Sequence, residues 1–321
     1  MKVLKKLLLL TPLIIFLGGC SDNNSNDASG SLDSDADNSL RSITMGILPS
    51  LDALPIIIAM EKGFFEAEGL EVIVEQFASA RDRDIAFQGS PHIDGLVFDL
   101  VAASIYYEGG THMVAASAST GLASILGNSD VTSLDDLYGN SILISRNTSM
   151  DFILHSALDF AGLTPDDVII EEVPALPTRL EMLMSNQAGA ATLPEPFATI
   201  GLSQGVNLLT TTRELGINPF IFAFRQEIAE EKREEIEAFF RAGNAAIEFL
   251  NTADREEFID ILINAVGYPA EFRDSLVLPE FLPFSTPSVE NVERVLEWSR
   301  QAGLLTANLT ADDIIFDVFG E

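Results

Sequence analysis

Asn147, Thr148 and Ser149 place an amide and two hydroxyls in a row, just before an apolar stretch that reads as a helix. Beside the unpaired N–H groups of a helix start, such side chains can hold a carboxylate, sulfonate, phosphate or heteroaromatic carbonyl. Capping that helix would use only one of the three. Arg146 precedes them and could pair with an oxyanion through both guanidinium nitrogens, or with one of the chain's many acids. Ser50 and Asp52, in Pro49-Ser50-Leu51-Asp52, stand at a second helix start, where either a ligand or the helix itself could use them. Phe98-Asp99 closes a short apolar strand. Asp99 could accept from a ligand amine or hydroxyl and Phe98 could stack on a ring, or the pair could be an N-cap and a core ring. Ser117 and Ser119 lie in a hydroxyl-rich stretch after another strand, suited to a ligand or to a connection between lobes. Glu195 sits between Pro194 and Pro196, which fix the backbone and pre-organise the carboxylate. Asn218, before Pro219, is a weaker candidate of the same kind.

Catalytic and metal chemistry find less material. The three histidines, His92, His112 and His155, share no metal-ligand spacing, and Cys20 is the only cysteine. No nucleophile–base pairing stands out, so no cofactor and no metal is expected. The 321 residues are 47% apolar, which excludes a wholly disordered chain. Forty-nine acids against 18 bases give a net charge of −31, a poor footprint for nucleic acid.

The elements that must position these side chains alternate. Strand-like runs at 42–48, 71–77, 93–97 and 112–117 are separated by helix-like segments at 51–61, from about 79, and at 99–107. The rhythm restarts with strands at 141–145, 168–173, 190–193, 207–211 and 220–225, and helices at 150–160 and 179–185. Helices then dominate, at 230–251, 254–266 and 288–301. This βα alternation predicts an α/β fold with a mostly parallel sheet in each of two lobes. One lobe is expected at 42–125 plus 214–321 and the other at 126–213. The crossing segments would leave a ligand cleft between the strand ends.

The first forty residues read as an address and a tether. Met1-Lys2-Val3-Leu4-Lys5-Lys6, a short apolar run and Leu17-Gly18-Gly19-Cys20 have the parts of a signal peptide over 1–19. Leu-Gly-Gly-Cys resembles a bacterial lipobox, which implies lipidation at Cys20. Residues 20–41 are nearly devoid of apolar side chains and are expected to be a disordered tether. The acyl chains would hold the folded part outside the cell membrane, or in the periplasm.

A family resemblance emerges further along. Leu48-Pro49-Ser50-Leu51-Asp52-Ala53-Leu54-Pro55, then Ala59-Met60-Glu61-Lys62-Gly63-Phe64-Phe65 and Glu68-Gly69-Leu70-Glu71-Val72, resemble the substrate-binding lipoproteins of ABC importers of the nitrate, sulfonate, taurine and thiamine-pyrimidine type. Gly89–Gly95, Leu134–Gly139 (with Tyr138 where that family often has Lys), Ile144–Ser149, Gly162–Val168 and Leu193–Phe197 follow in family order. The resemblance runs from about 42 to 300. It implies a two-lobed, periplasmic-binding-protein-like (type II) fold of mixed sheets flanked by helices, with the polar loops above facing the cleft. It further implies a monomer that binds a small molecule by hinge closure and meets an ABC permease and its ATPase. The ligand is expected to be a small organic molecule or an oxyanion of the sulfonate or nitrate class, and Asp99 and Glu195 tilt it toward a neutral or zwitterionic organic molecule such as a pyrimidine-like thiamine precursor. Some relatives are cofactor-biosynthetic enzymes, so an exported or biosynthetic enzyme on the same two lobes is the alternative.

Overall fold

The computed structural model describes residues 41–320. The expected signal peptide, Cys20 and nearly all of the expected tether lie outside the described residues. Residue 41, placed at the end of the tether by sequence, already belongs to the first strand.

Ten strands form two five-stranded sheets. The first contains β1 (Arg41–Ile47), β2 (Leu70–Gln76), β3 (Gly95–Asp99), β4 (Met113–Ala118) and β10 (Phe220–Arg225), in the order β2-β1-β3-β10-β4. The second contains β5 (Ala123–Gly127), β6 (Ser141–Ile144), β7 (Ile169–Glu172), β8 (Ala190–Pro194) and β9 (Asn207–Thr211), in the order β7-β6-β8-β5-β9. In each sheet four strands share one direction, and the fourth in spatial order runs antiparallel to both its neighbours. Those antiparallel strands, β10 and β5, are the ones the chain enters on crossing between sheets. The crossings lie between Ala118 and Ala123 and between Thr211 and Phe220. Residues 123–125 therefore pair in the second sheet, just before the boundary expected after residue 125.

The sequence rhythm explains the layers. Central strands such as β1 and β3 are near-continuous apolar runs because helices cover both faces. One apolar cluster joins the outer face of the first sheet to the helices Leu54–Glu61 and Arg233–Thr252. A second is shared by β3, β4, β5 and β6 with the helices Leu100–Glu108, Ser149–Phe160 and Val289–Gln301. In it Trp298 meets Phe152 and His155 edge-on, at ring-centre distances of 5.8 and 5.6 Å. Each helix contributes a different half of the molecule to that contact. A third, smaller cluster closes the far face of the second sheet.

The crossings are tied to each other. The Ser119 N–H donates to the Phe220 carbonyl, the Thr212 N–H to the Ala123 carbonyl, and Asn218 Nδ2 to the Ser119 carbonyl at 2.8 Å. A Cβ on Gly121 would meet the ring of Phe220 at 2.6 Å, so only glycine lets that ring lie against the crossing.

Candidate functional site

Parallel strands of both sheets end at one cleft of about 690 Å³. This is where α/β sheets bind ligands, because helix starts and loop backbones converge there. β1 delivers Leu48, Pro49, Ser50 and Asp52, and β3 delivers Phe98 and Asp99. From the second sheet, β6 delivers Ser145, Thr148 and Ser149, and β8 delivers Pro194, Glu195 and Phe197. Phe220 enters from the start of β10.

Of the residues expected from sequence, the structure brings Ser50, Asp52, Phe98, Asp99, Thr148, Ser149 and Glu195 together on this wall. Five others stand elsewhere. Ser117 is buried and donates to the Ser285 carbonyl at 3.1 Å, tying β4 to the C-terminal segment. Ser119 is buried outside the cleft lining, its hydroxyl accepting from the Gly121 N–H at 3.1 Å, and its side chain pulls the Asp52 carboxyl down. Arg146 and Asn147 are exposed. Asn147 holds φ at +59° and donates its backbone N–H to Asp151, so the turn needs a residue tolerant of the left-handed region. Asn218 braces the crossings instead of facing the cleft.

The polar groups on the wall are held in place. Thr148 is the N-cap of the helix Ser149–Phe160. Its hydroxyl accepts from the Met150 N–H at 3.2 Å and donates to the Ser145 carbonyl at 2.8 Å, which occupies it. Ser149 is 5% exposed, and its hydroxyl has no protein partner among the described residues. Asp99 caps the helix Leu100–Glu108, accepting from the Ala102 N–H at 2.9 Å. Glu195 Oε2 accepts from the Thr199 N–H at 3.2 Å and from the Tyr268 hydroxyl at 3.1 Å. Tyr268 follows Val266 and Gly267 of the opposite wall, so this bond spans the cleft.

Burial pushes the Asp52 carboxyl up to about 7, against the pull of Ser119, and raises Asp99 against its backbone hydrogen bonds and the nearby Arg83. The Tyr268 phenol is raised by burial and by the Glu195 charge, so it stays protonated and donates.

Arg83, Tyr268 and Phe220 escaped the sequence reading. Arg83 stands in the helix Ala80–Gly89, four residues beyond its Ser79 N-cap, with its guanidinium 4.9 Å over the Phe98 ring. The start of that helix near residue 79 was visible in the sequence; the inward turn of the arginine was not. No cluster of three or more His, Cys, Asp or Glu suited to a metal occurs among the described residues.

Two mixed sheets flanked by helices, joined by paired crossings with a cleft at the strand ends, define a periplasmic-binding-protein fold. Solved structures share it. The periplasmic aliphatic sulphonate binding protein SsuA from Escherichia coli superposes with a TM-score of 0.72 at 16% identity, over 86% of this chain and 97% of that one. The nitrate-binding protein NrtA from Synechocystis PCC 6803 gives 0.66 at 19% identity, over 85% and 84%. The desulfurization enzyme DSZB gives 0.57 at 14%, over 85% and 95%, so this fold carries both binders and enzymes. The chain belongs to the NMT1-like family, whose model matches residues 36–265. The bicarbonate-binding protein CmpA of Synechococcus elongatus is 35% identical over 77 residues, which are 23% of this chain. The chain spans 17% of the length of that curated relative.

Proposed function

We propose that this protein is the exported solute-binding component of an ABC importer, anchored through Cys20 and acting as a monomer. Its two lobes close by a hinge on a small solute and deliver it to a permease and its ATPase. One observation carries the reading: walls from two separate sheets enclose one cleft, and paired crossing segments join those sheets. Such an arrangement can open and close around a ligand without disturbing either sheet. The names of the similar proteins, binders of sulphonate, nitrate and bicarbonate, support the same class.

An enzyme is the second reading, favoured by the fold shared with DSZB. A thermal-shift screen of the purified protein separates the two, with sulfonates, nitrate, bicarbonate, pyrimidines, flavins and amino acids as ligands. A saturating ligand at about 100 times its Kd adds roughly 2.7 kcal/mol of stability. The expected result is a saturable rise in melting temperature with the ligand recovered unchanged. Conversion of the ligand to a product would overturn the binder.

A further inference from the structure

The cleft's charge is one-sided. Asp52 and Asp99 stand on the wall from the first sheet, and Glu195 on the wall from the second. Among the described residues Arg83 is the one base that lines the cleft, and three of its five N–H groups are committed. Nη1 donates to the Val97 carbonyl at 2.7 Å, and Nε and Nη2 donate to Asp84 Oδ1 at 2.9 and 2.8 Å. Arg179, behind the second wall, is fully buried and donates to the Val173 and Thr192 carbonyls and to the Ser145 hydroxyl. The Arg83 charge is thus met by Asp84, and Arg179 does not line the cleft.

Acceptors, by contrast, remain. Glu195 uses Oε2 for both of its protein donors, and Oε1 has none among the described residues. The buried Ser149 hydroxyl is also unpartnered and lines the same cavity. Phe197 and Phe220 add half-buried apolar rings to the same lining, while Phe98 is buried beneath the Arg83 guanidinium. Above about pH 7, where Asp52 has lost its proton, an anion placed here would face the carboxylates of Asp52 and Glu195 in a partly desolvated space. A cation would meet acceptors and ring faces.

We propose that the cleft takes a small organic cation bearing an N–H donor, of the amine, amidine or protonated aminoheterocycle class. Asp52, Asp99 and Glu195 grip it from both sheets, and the Ser149 hydroxyl completes the polar set. This rests on the binder reading above. It departs from the anions that the similar proteins' names carry.

Isothermal titration of the full chain at about pH 8 tests it. The probes are agmatine, benzamidine and phenethylamine, then choline as a cation without N–H, then benzenesulfonate, nitrate and bicarbonate. At least one N–H cation is expected to bind saturably, at least about tenfold more tightly than choline or any of the anions. Glu195→Gln keeps an oxygen for Tyr268 and Thr199, and Asp99→Asn keeps a good N-cap, so both should fold with the wild-type melting temperature. Each is expected to weaken cation binding about tenfold or more. An anion that binds where the N–H cations do not would overturn the cation class and leave the binder standing. Failure of all three N–H cations overturns the class as well. The binder itself falls only if the wider solute screen also yields no ligand.

Discussion

Asp52 illustrates what a single side chain does to this molecule. Its carboxyl titrates near 7 instead of 3.8 because burial outweighs the Ser119 hydrogen bond. Between those values the folded chain keeps a proton that the unfolded chain has lost. Stability therefore falls as pH rises from about 4 to about 7 and stays reduced above. Asp52→Asn removes the penalty. Its melting temperature relative to wild type is expected to climb between about pH 5 and about pH 8. A difference that stays flat across that range would show that Asp52 is not the group responsible. Asp94 is the contrasting case. It too is buried, but it accepts from the Thr44 N–H at 2.8 Å and pairs with Lys232 Nζ at 2.9 Å, so its charge is met inside the fold. Replacing Lys232 by Met would leave that carboxylate unpaired and should cost about 2 kcal/mol, measurable by urea titration.

At the scale of elements, local signals carried the reading far and distant ones limited it. β9 and β10 have the bounds expected from sequence, and the helix Val289–Gln301 begins one residue after its expected start. Apolar alternation and capping residues lie within the element they define. β5 went unread because Ala-Ser-Ile-Leu-Gly is short and unremarkable on its own, and becomes a strand by pairing with β8 and β9, far along the chain. The site divides in the same way. Asp99 and Glu195 were legible, one at a strand-to-helix junction and one between prolines. Asn147 looked equally suitable because the left-handed turn it occupies selects the same residue type as a ligand contact would. Tyr268 was invisible, since its partner Glu195 lies 73 residues away. The crossing segments offer a test at this scale. Gly121→Ala would drive a methyl into the Phe220 ring, which both packs on the crossing segment and lines the cleft. A loss of about 1–3 kcal/mol in stability is expected. An unchanged unfolding free energy would mean that the ring moves aside freely.

Across the whole molecule, the charge sets the conditions of stability. Beyond the first six residues the sequence keeps two lysines, and both are engaged: Lys232 with Asp94, and Lys62 4.4 Å over the ring of Phe249. With 49 acids against 18 bases, repulsion between carboxylates dominates the surface, and dissolved salt screens it. The melting temperature is expected to rise as NaCl goes from about 50 mM to about 1 M. A fold equally stable in dilute buffer would refute that view. The sequence holds one tryptophan, and Trp298 packs from one half of the molecule onto Phe152 and His155 of a helix whose first residue, Ser149, lines the cleft in the other half. Any shift of that helix on ligand uptake changes the quenching of this single indole. A ligand that moves the helix would thus be gauged by one indole, with no dye to attach and no second tryptophan to subtract.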